Sequence, residues 1–187
     1  MSAPILLNFL FFVLLSMVGG GLNNFLVVGL GALHGTPPAV GNTALTGLLA
    51  MSAVGVLVGG VLAGRTAYHN VVACLGLLVT GGISALIGLA DPGALALVLI
   101  VSLSGFASGL AMPSRDMIVR SVTPAGSFGK VFGFVTTGFH VGGMVAPLIF
   151  GQLLDHGYPQ AVFLYIAGCA LVAIATVAFG MSGRRTA

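Results

Sequence analysis

Six stretches of the sequence are long and apolar enough to form membrane-spanning helices, and this feature limits the fold more than any other. A spanning helix needs about 20 mostly apolar residues. The stretches cover residues 5–33, 43–63, 71–90, 94–112, 131–154 and 161–180. Proline, glycine and polar residues, which end helices, separate them. The sequence therefore predicts an all-α fold: a single six-helix transmembrane domain that occupies residues 1–187.

The scarcity of charge excludes a soluble fold. Charged residues make up 5% of the chain and hydrophobic residues 58%, whereas soluble domains carry about 25% charged residues. A soluble protein of this composition could not cover its surface, so the lipid bilayer must be the solvent for most of the chain. Six Lys and Arg residues are too few to follow a nucleic-acid backbone. Nucleic acid is therefore not an expected partner.

All the basic residues fall on one side of the predicted membrane. They lie in the second connection, the fourth connection and the tail: Arg65, Arg115, Arg120, Lys130, Arg184 and Arg185. The opposite side carries Asp91, Asp155, His34 and His156, without Lys or Arg. Short cytoplasmic loops are enriched in Lys and Arg. This separation predicts that both termini are cytoplasmic.

Small residues recur at four-residue spacing in the predicted spans. The G-x-x-x-G pairs are Gly55/Gly59, Gly60/Gly64, Gly105/Gly109, Gly129/Gly133 and Gly138/Gly142. Such pairs let helix backbones approach closely in lipid, so they predict a compact bundle. The similar ends of the second and fifth spans, at residues 60–65 and 151–156, indicate an inverted repeat of three plus three helices.

The fifth span carries a histidine near its middle. His140 shares a helical face with Thr136, Gly143, Met144 and Pro147. Because polar groups are costly in hydrocarbon, we expect this face to point at the bundle interior or a water-filled cavity. His140 and Thr136 are therefore candidates for substrate contact, and His140 also for proton coupling. The alternative is a neutral histidine that bonds a neighbouring helix. Pro147 predicts a helix kink.

Two further polar pairs lie in predicted spans. Asn23 and Asn24 lie in the outer half of the first span, where they either bond a neighbouring helix or contact substrate. Ser104 and Ser108 share one face of the fourth span. Their hydroxyls either bond back to the preceding turn or line a cavity.

The connection at residues 113–130 is a charged hinge. If the fourth helix continues past Pro113, Asp116 and Arg120 are four residues apart on one face and can pair. Arg115 then points elsewhere, towards phosphates or another cytoplasmic loop. These charges either anchor the chain at lipid headgroups or, with Arg65, form a cytoplasmic gate.

The chain carries no motif of a known catalytic site, metal site or cofactor site. Its three acidic residues include no paired carboxylates, and its two cysteines have no metal-ligand spacing. We therefore expect neither an enzyme nor a bound cofactor.

Several motifs together resemble the major facilitator superfamily, in particular the region around the tenth and eleventh helices of its bacterial members. These are M-P-S-R-D-M-I-V-R at 112–120, T-P-x-G at 123–126, G-K-V-F-G-F at 129–134 and G-x-x-x-G-x-x-x-A-P-L at 138–148. The motif G-x-L-A-G-R at 60–65 is similar to the loop between the family's helices eight and nine. It departs from the family pattern at Gly64, where an acid is expected.

The resemblance implies the C-terminal six-helix half of a twelve-helix transporter. In that family the first and fourth helices of such a half line the substrate cavity, and the second and fifth flank it. The implied activity is secondary transport of a small solute by alternating access, driven by an ion gradient or by the solute's own gradient. The implied location is a bacterial cytoplasmic (inner) membrane, and the implied partner is a second copy or a separate N-terminal half.

Two other functions remain open from the sequence. The chain could be a non-transporting membrane protein, either a truncated product or a scaffold that binds partners through its helix faces. A weaker alternative is an intramembrane enzyme centred on His140. Because His140 is the one ionisable side chain deep in a predicted span, the sequence favours a small solute that is neutral or amphiphilic.

Overall fold

A computed structural model describes residues 3–123 and 126–182 of the chain. They form six α-helices: α1 (Ala3–His34), α2 (Pro38–Arg65), α3 (His69–Leu89), α4 (Ala94–Val122), α5 (Phe128–Asp155) and α6 (Pro159–Ser182). Each helix is long and apolar enough to cross a membrane. The predicted all-α class, with six helices able to cross a membrane, is therefore confirmed. Arg184 and Arg185, used to predict orientation, lie outside the described residues.

The fourth helix is longer than the sequence indicates. Residues 113–122, assigned above to a hinge, belong to α4, and Pro113 lies inside the helix. The connection to α5 is confined to residues 123–127. A proline removes one backbone hydrogen bond from a helix interior, but the following residues can keep theirs. Arg115, Asp116 and Arg120 therefore extend from a helix rather than from a loop.

The main helix contacts join the first three helices to the last three. α2 packs along α4, and α1 packs along α5 and α6, while α3 packs along α4 and α6. Exchanging α1, α2 and α3 with α4, α5 and α6 leaves this pattern unchanged. The symmetry agrees with the inverted three-plus-three repeat that the sequence indicates.

Three of the five glycine pairs lie at close helix contacts. A Cβ atom on Gly59 would lie 2.5 Å from the Leu110 carbonyl oxygen of α4, and one on Gly138 would lie 2.7 Å from the Phe9 carbonyl oxygen of α1. Added Cβ atoms on Gly105 and Gly109 would collide with the backbone of α2. Since only hydrogen fits at these positions, glycine allows the helices to approach this closely.

The other two pairs do not serve this purpose. Added Cβ atoms on Gly60, Gly64, Gly129 and Gly133 would meet no atom within 4 Å. The prediction that these two pairs pack helices together is wrong within the six-helix bundle. Spacing alone does not distinguish a packed face from an open one, because both faces of an α-helix repeat with the same period.

The apolar core draws most of its buried side chains from α1 and α6. Phe12, Leu30, Phe150, Phe163 and Ile166 are almost completely buried. The Phe150 ring lies 5.7 Å from the ring of Tyr165 on α6, edge to face. This packing holds α1 in the centre of the bundle, between α5 and α6, and so determines which of its side chains face the remaining space.

Candidate functional site

The described helices surround a partly open cavity of about 450 Å³. Its lining comes from α1, α2, α3, α4 and α5, and most of the lining side chains are apolar. Ligand pockets for small molecules have volumes of about 300–1,000 Å³ and similar mostly apolar walls. The polar side chains in the lining are Ser16, Asn23, Asn24, Ser52, Thr80, Ser108 and Arg115.

Arg115 supplies the one charged side chain among the described residues that line the cavity. Its Nε donates a hydrogen bond to Asp116 Oδ1 at 3.0 Å. The centre of its guanidinium lies 4.8 Å from the ring centroid of Phe12 and 5.9 Å from that of Phe139. Aromatic faces at these distances attract a cation. The guanidinium is therefore held between α1 and α5, at the cavity wall.

The two asparagines of α1 both line the cavity. Asn24 donates from Nδ2 to the Gly20 carbonyl oxygen of its own helix at 3.0 Å. Both side chains are exposed. They are therefore not buried in a contact with a neighbouring helix, which was one of the two alternatives from the sequence. Their amides are placed where a bound molecule could reach them.

The two serines of α4 have different surroundings. Ser108 lines the cavity and its Oγ donates to the Gly105 carbonyl oxygen at 2.9 Å. Ser104 is 1% exposed, and its Oγ finds no hydrogen-bond partner among the described residues. Thr80 of α3 also lines the cavity and bonds back to its own helix at Gly76.

The structure does not place His140 where the sequence analysis expects it. His140 is exposed on α5 and is absent from the cavity lining, although Phe139 and Gly143 belong to that lining. The reason is the close contact of Gly138 and Gly142 with α1. A residue two positions from each of them lies about 200° around the helix, on the opposite side. Within the six-helix bundle, His140 therefore points outwards.

Thr136 is half-buried and satisfied by its own helix. Its Oγ1 lies 2.9 Å from the carbonyl oxygens of Phe132 and Gly133. It does not line the cavity. Thr136 and His140 thus lie beside the cavity, although Gly143 on the same predicted face belongs to the cavity lining.

Comparison with known proteins decides the family. Residues 8–186 match the profile of the Major Facilitator Superfamily. The chain belongs to the major facilitator superfamily. Comparison with curated protein sequences gave no match.

A major facilitator structure is similar in fold. It is a crystal structure of a POT family transporter in complex with a thioalcohol-conjugated peptide, at a TM-score of 0.75 and 18% sequence identity. The alignment covers 92% of this chain and 37% of the other chain. The present chain therefore spans little more than a third of that transporter's length.

The candidate gate residues of this major facilitator chain lie on α2 and α4, and one expected pairing is not found. Asp116 pairs with Arg115 rather than with Arg120. The sequence analysis expects Arg115 to point away from Asp116. The structure shows the opposite, because the two side chains form an ion pair. Arg120 and Arg65 are exposed near the ends of α4 and α2. Their role as a gate stays a prediction.

Pro147 lies inside α5, and the helix continues through it to Asp155. Its side chain is exposed. The predicted kink at this position stays a prediction.

The sequence analysis missed Arg115 as a cavity residue. The signal was its spacing: Ser108, Ala111, Met112 and Arg115 recur at helical intervals and all line the cavity. Assigning Pro113 to a hinge broke this series. Ser16, Ser52 and Thr80 were also missed, because isolated hydroxyl residues are common in membrane helices and usually bond their own backbone.

The described residues contain no group of three or more His, Cys, Asp or Glu side chains that could hold a metal ion. Cys74 and Cys169 are free thiols in α3 and α6. The polar chemistry of the cavity is therefore hydrogen bonding and a single cationic group.

Proposed function

We propose that this chain is one six-helix half of a secondary active transporter that moves a small solute by alternating access. The observation that carries the proposal is a cavity of about 450 Å³ in a chain that belongs to the major facilitator superfamily. The cavity has no catalytic constellation among its lining residues, so binding and release, rather than chemistry, is the activity that it fits.

A second six-helix half is part of the proposal. In the apolar window of each helix, 17% of residues in α2 and 22% in α5 are buried, against 39–50% in the other helices. Lipid can cover exposed apolar side chains, but it is a poor solvent for an exposed histidine in the middle of a span. The exposed position of His140 on α5 therefore favours protein as the covering partner, either a second copy of this chain or a separate N-terminal half.

The proposed orientation has both termini in the cytoplasm of a bacterial cell. The cationic side chains of Arg65, Arg120 and Lys130 then lie on the inner side of the cytoplasmic membrane, as the enrichment of Lys and Arg in cytoplasmic loops favours. In this orientation Arg115 lies nearer the cytoplasmic end of the cavity and Asn23 nearer the outer end. His140, between the two halves, is the candidate for a coupling proton.

Alternating access can be tested without knowing the solute. Single cysteines replace Asn23 or Ser108, both in the cavity lining, in a chain whose Cys74 and Cys169 are changed to Ser and Ala. A membrane-impermeant maleimide is then applied to right-side-out and inside-out vesicles from the native cell. Maleimides need a hydrated thiolate, so reaction reports water access. We expect each position to react from both sides.

The matched control is Leu171→Cys. Leu171 is exposed on α6 but does not line the cavity, so we expect no reaction from either side. Reaction of the cavity cysteines from one side only would contradict alternating access. If the cavity cysteines react from neither side, the result would instead favour a scaffold or a truncated, non-transporting protein.

A further inference from the structure

Arg115 is held in place by contacts on three sides. The pair with Asp116 fixes Nε, and the rings of Phe12 and Phe139 lie beside the guanidinium. A side chain fixed in this way loses little conformational freedom when it binds a ligand. Since about a fifth of the side chain remains accessible, the fixed guanidinium is also open to the cavity that it lines.

The hydrogen-bond donors of Arg115 are only partly used. A guanidinium has five N–H donors in a planar fork, and the structure pairs Nε with Asp116. Asp116 is 46% exposed, so water weakens its compensation of the positive charge. The cavity lining, which includes Ala111 and Met112 one turn before Arg115 on α4, is mostly apolar. In such surroundings, a guanidinium binds a carboxylate or phosphate more favourably than a neutral group.

We propose that Arg115 forms an oxyanion subsite, which binds the carboxylate or phosphate group of an amphiphilic solute in the cavity. This inference rests on the proposed transport function. Of the neutral or amphiphilic solutes that the sequence analysis expects, it selects amphiphilic ones and adds an anionic group, because Arg115 was placed there in a hinge outside the spans.

The opposite end of the cavity suggests the rest of the ligand. Asn23 and Asn24 lie about 17 Å along α1 from Phe12, at a rise of 1.5 Å per residue. Between these ends the lining is mainly apolar, with Leu15, Leu22 and others. A ligand that fits both ends has an anionic group at Arg115, an apolar body and a hydrogen-bonding group that reaches the amides.

The first experiment compares two probes of similar shape, one with a carboxylate and one with a neutral amide. Thermal unfolding of the purified chain is measured with 4-phenylbutyrate and with 4-phenylbutanamide, since a ligand stabilises the folded state according to its affinity. We expect the carboxylate to stabilise the wild type more than the amide does. Arg115→Gln should lower the affinity for 4-phenylbutyrate by about 10- to 100-fold, as for a lost hydrogen bond to a charged group.

Arg120→Gln is the matched control. Arg120 lies on the same helix, is exposed and does not line the cavity, so its loss should leave the affinity for 4-phenylbutyrate unchanged. An equal loss in both variants, or an equal response of the wild type to the two probes, would overturn the proposal.

Asp116→Asn gives a test in the opposite direction. This variant keeps Arg115 but removes the carboxylate that pairs with it. Because the Asp116 side chain is half-exposed, the variant should fold even if Arg115→Gln does not. We expect the affinity for 4-phenylbutyrate to rise by about two- to five-fold, the size of a half-exposed ion pair. An unchanged or lower affinity would count against an oxyanion subsite at Arg115.

The same chemistry could come from a lipid headgroup. To distinguish the sources, unfolding is measured in nanodiscs of phosphatidylcholine alone and with added phosphatidylglycerol. Suppose that phosphatidylglycerol raises the unfolding temperature only when Arg115 is present, and also abolishes the stabilisation by 4-phenylbutyrate. The occupant is then a lipid phosphate. If added phosphatidylglycerol leaves the stabilisation by 4-phenylbutyrate unchanged, the occupant is a solute. Binding without two-sided cysteine labelling would keep the subsite and reject transport.

Discussion

Because glycine has no side chain, Gly105 allows the backbone of α4 to contact that of α2. A Cβ atom there would collide with the Leu48 carbonyl group, whereas one on Gly60 would meet nothing within 4 Å. Both glycines belong to G-x-x-x-G pairs. Gly105 and Gly60 therefore differ in whether a neighbouring backbone lies against them. Measurements of the free energy of unfolding can detect this difference.

Gly105→Ala should destabilise the fold, and Gly60→Ala should not. Forcing an extra methyl group into a packed contact costs about 1–3 kcal/mol, because the two helices must separate. At Gly60 the alanine gains up to about 1 kcal/mol of helix propensity. The free energy of unfolding, measured by denaturant titration in mixed micelles, separates the two variants. Equal stability of both would show that Gly105 does not set the distance between α2 and α4.

Residue identity was easier to predict from the sequence than residue direction. The sequence singled out Asn23, Asn24 and Ser108, and the structure places all three at the cavity. The environments of His140 and Arg115 could not be predicted, because they depend on which face of each helix packs against its neighbour. For α5 that face is determined by the backbone of α1 at Phe9 and Val13.

At the level of the element, α5 presents two faces with opposite requirements. Gly138 and Gly142 lie against α1, and His140 lies on the side that the other described helices leave open. A six-helix bundle should therefore tolerate changes at His140 but not at Gly142. The contrast tests the rotation of α5 about its own axis.

Gly142→Leu should lower the free energy of unfolding by about 2–3 kcal/mol through overpacking. His140→Leu should change it by less than about 0.5 kcal/mol, as exposed substitutions usually do. Both values come from denaturant titration of the isolated chain in detergent. A comparable loss for His140→Leu would mean that the histidine packs inside the bundle, which is one of the two positions that the sequence analysis expects.

The helix boundaries show what apolar pattern can and cannot predict. Hydropathy identified six spans, because the cost of unsatisfied backbone groups in lipid requires continuous helices there. It underestimated α4, which continues from Met112 to Val122 through a polar segment. A helix does not need apolar residues where it lines a cavity or leaves the hydrocarbon, so the apolar pattern loses its signal while the helix continues.

At the level of the whole molecule, charge should determine how the bundle lies in the membrane. Alkaline phosphatase, which is active only outside the cytoplasm, should be active when inserted at Gly93, between α3 and α4, and inactive when fused after Ala187. A fluorescent protein that matures in the cytoplasm should give the reverse result. Phosphatase activity at the C-terminus would reject the proposed orientation.

The exchange of contacts between the two helix triplets also has a consequence for synthesis. α1, α2 and α3 make few contacts with one another, and their main packing surfaces belong to α4, α5 and α6. A nascent chain that has released only its first three helices thus has little tertiary structure to form. Because proteins are made from the N-terminus, α2 must wait for α4, and α1 for α5 and α6. Such a bundle assembles late, as later helices enter between earlier ones, and until then depends on lipid or the insertion machinery to keep its first helices apart.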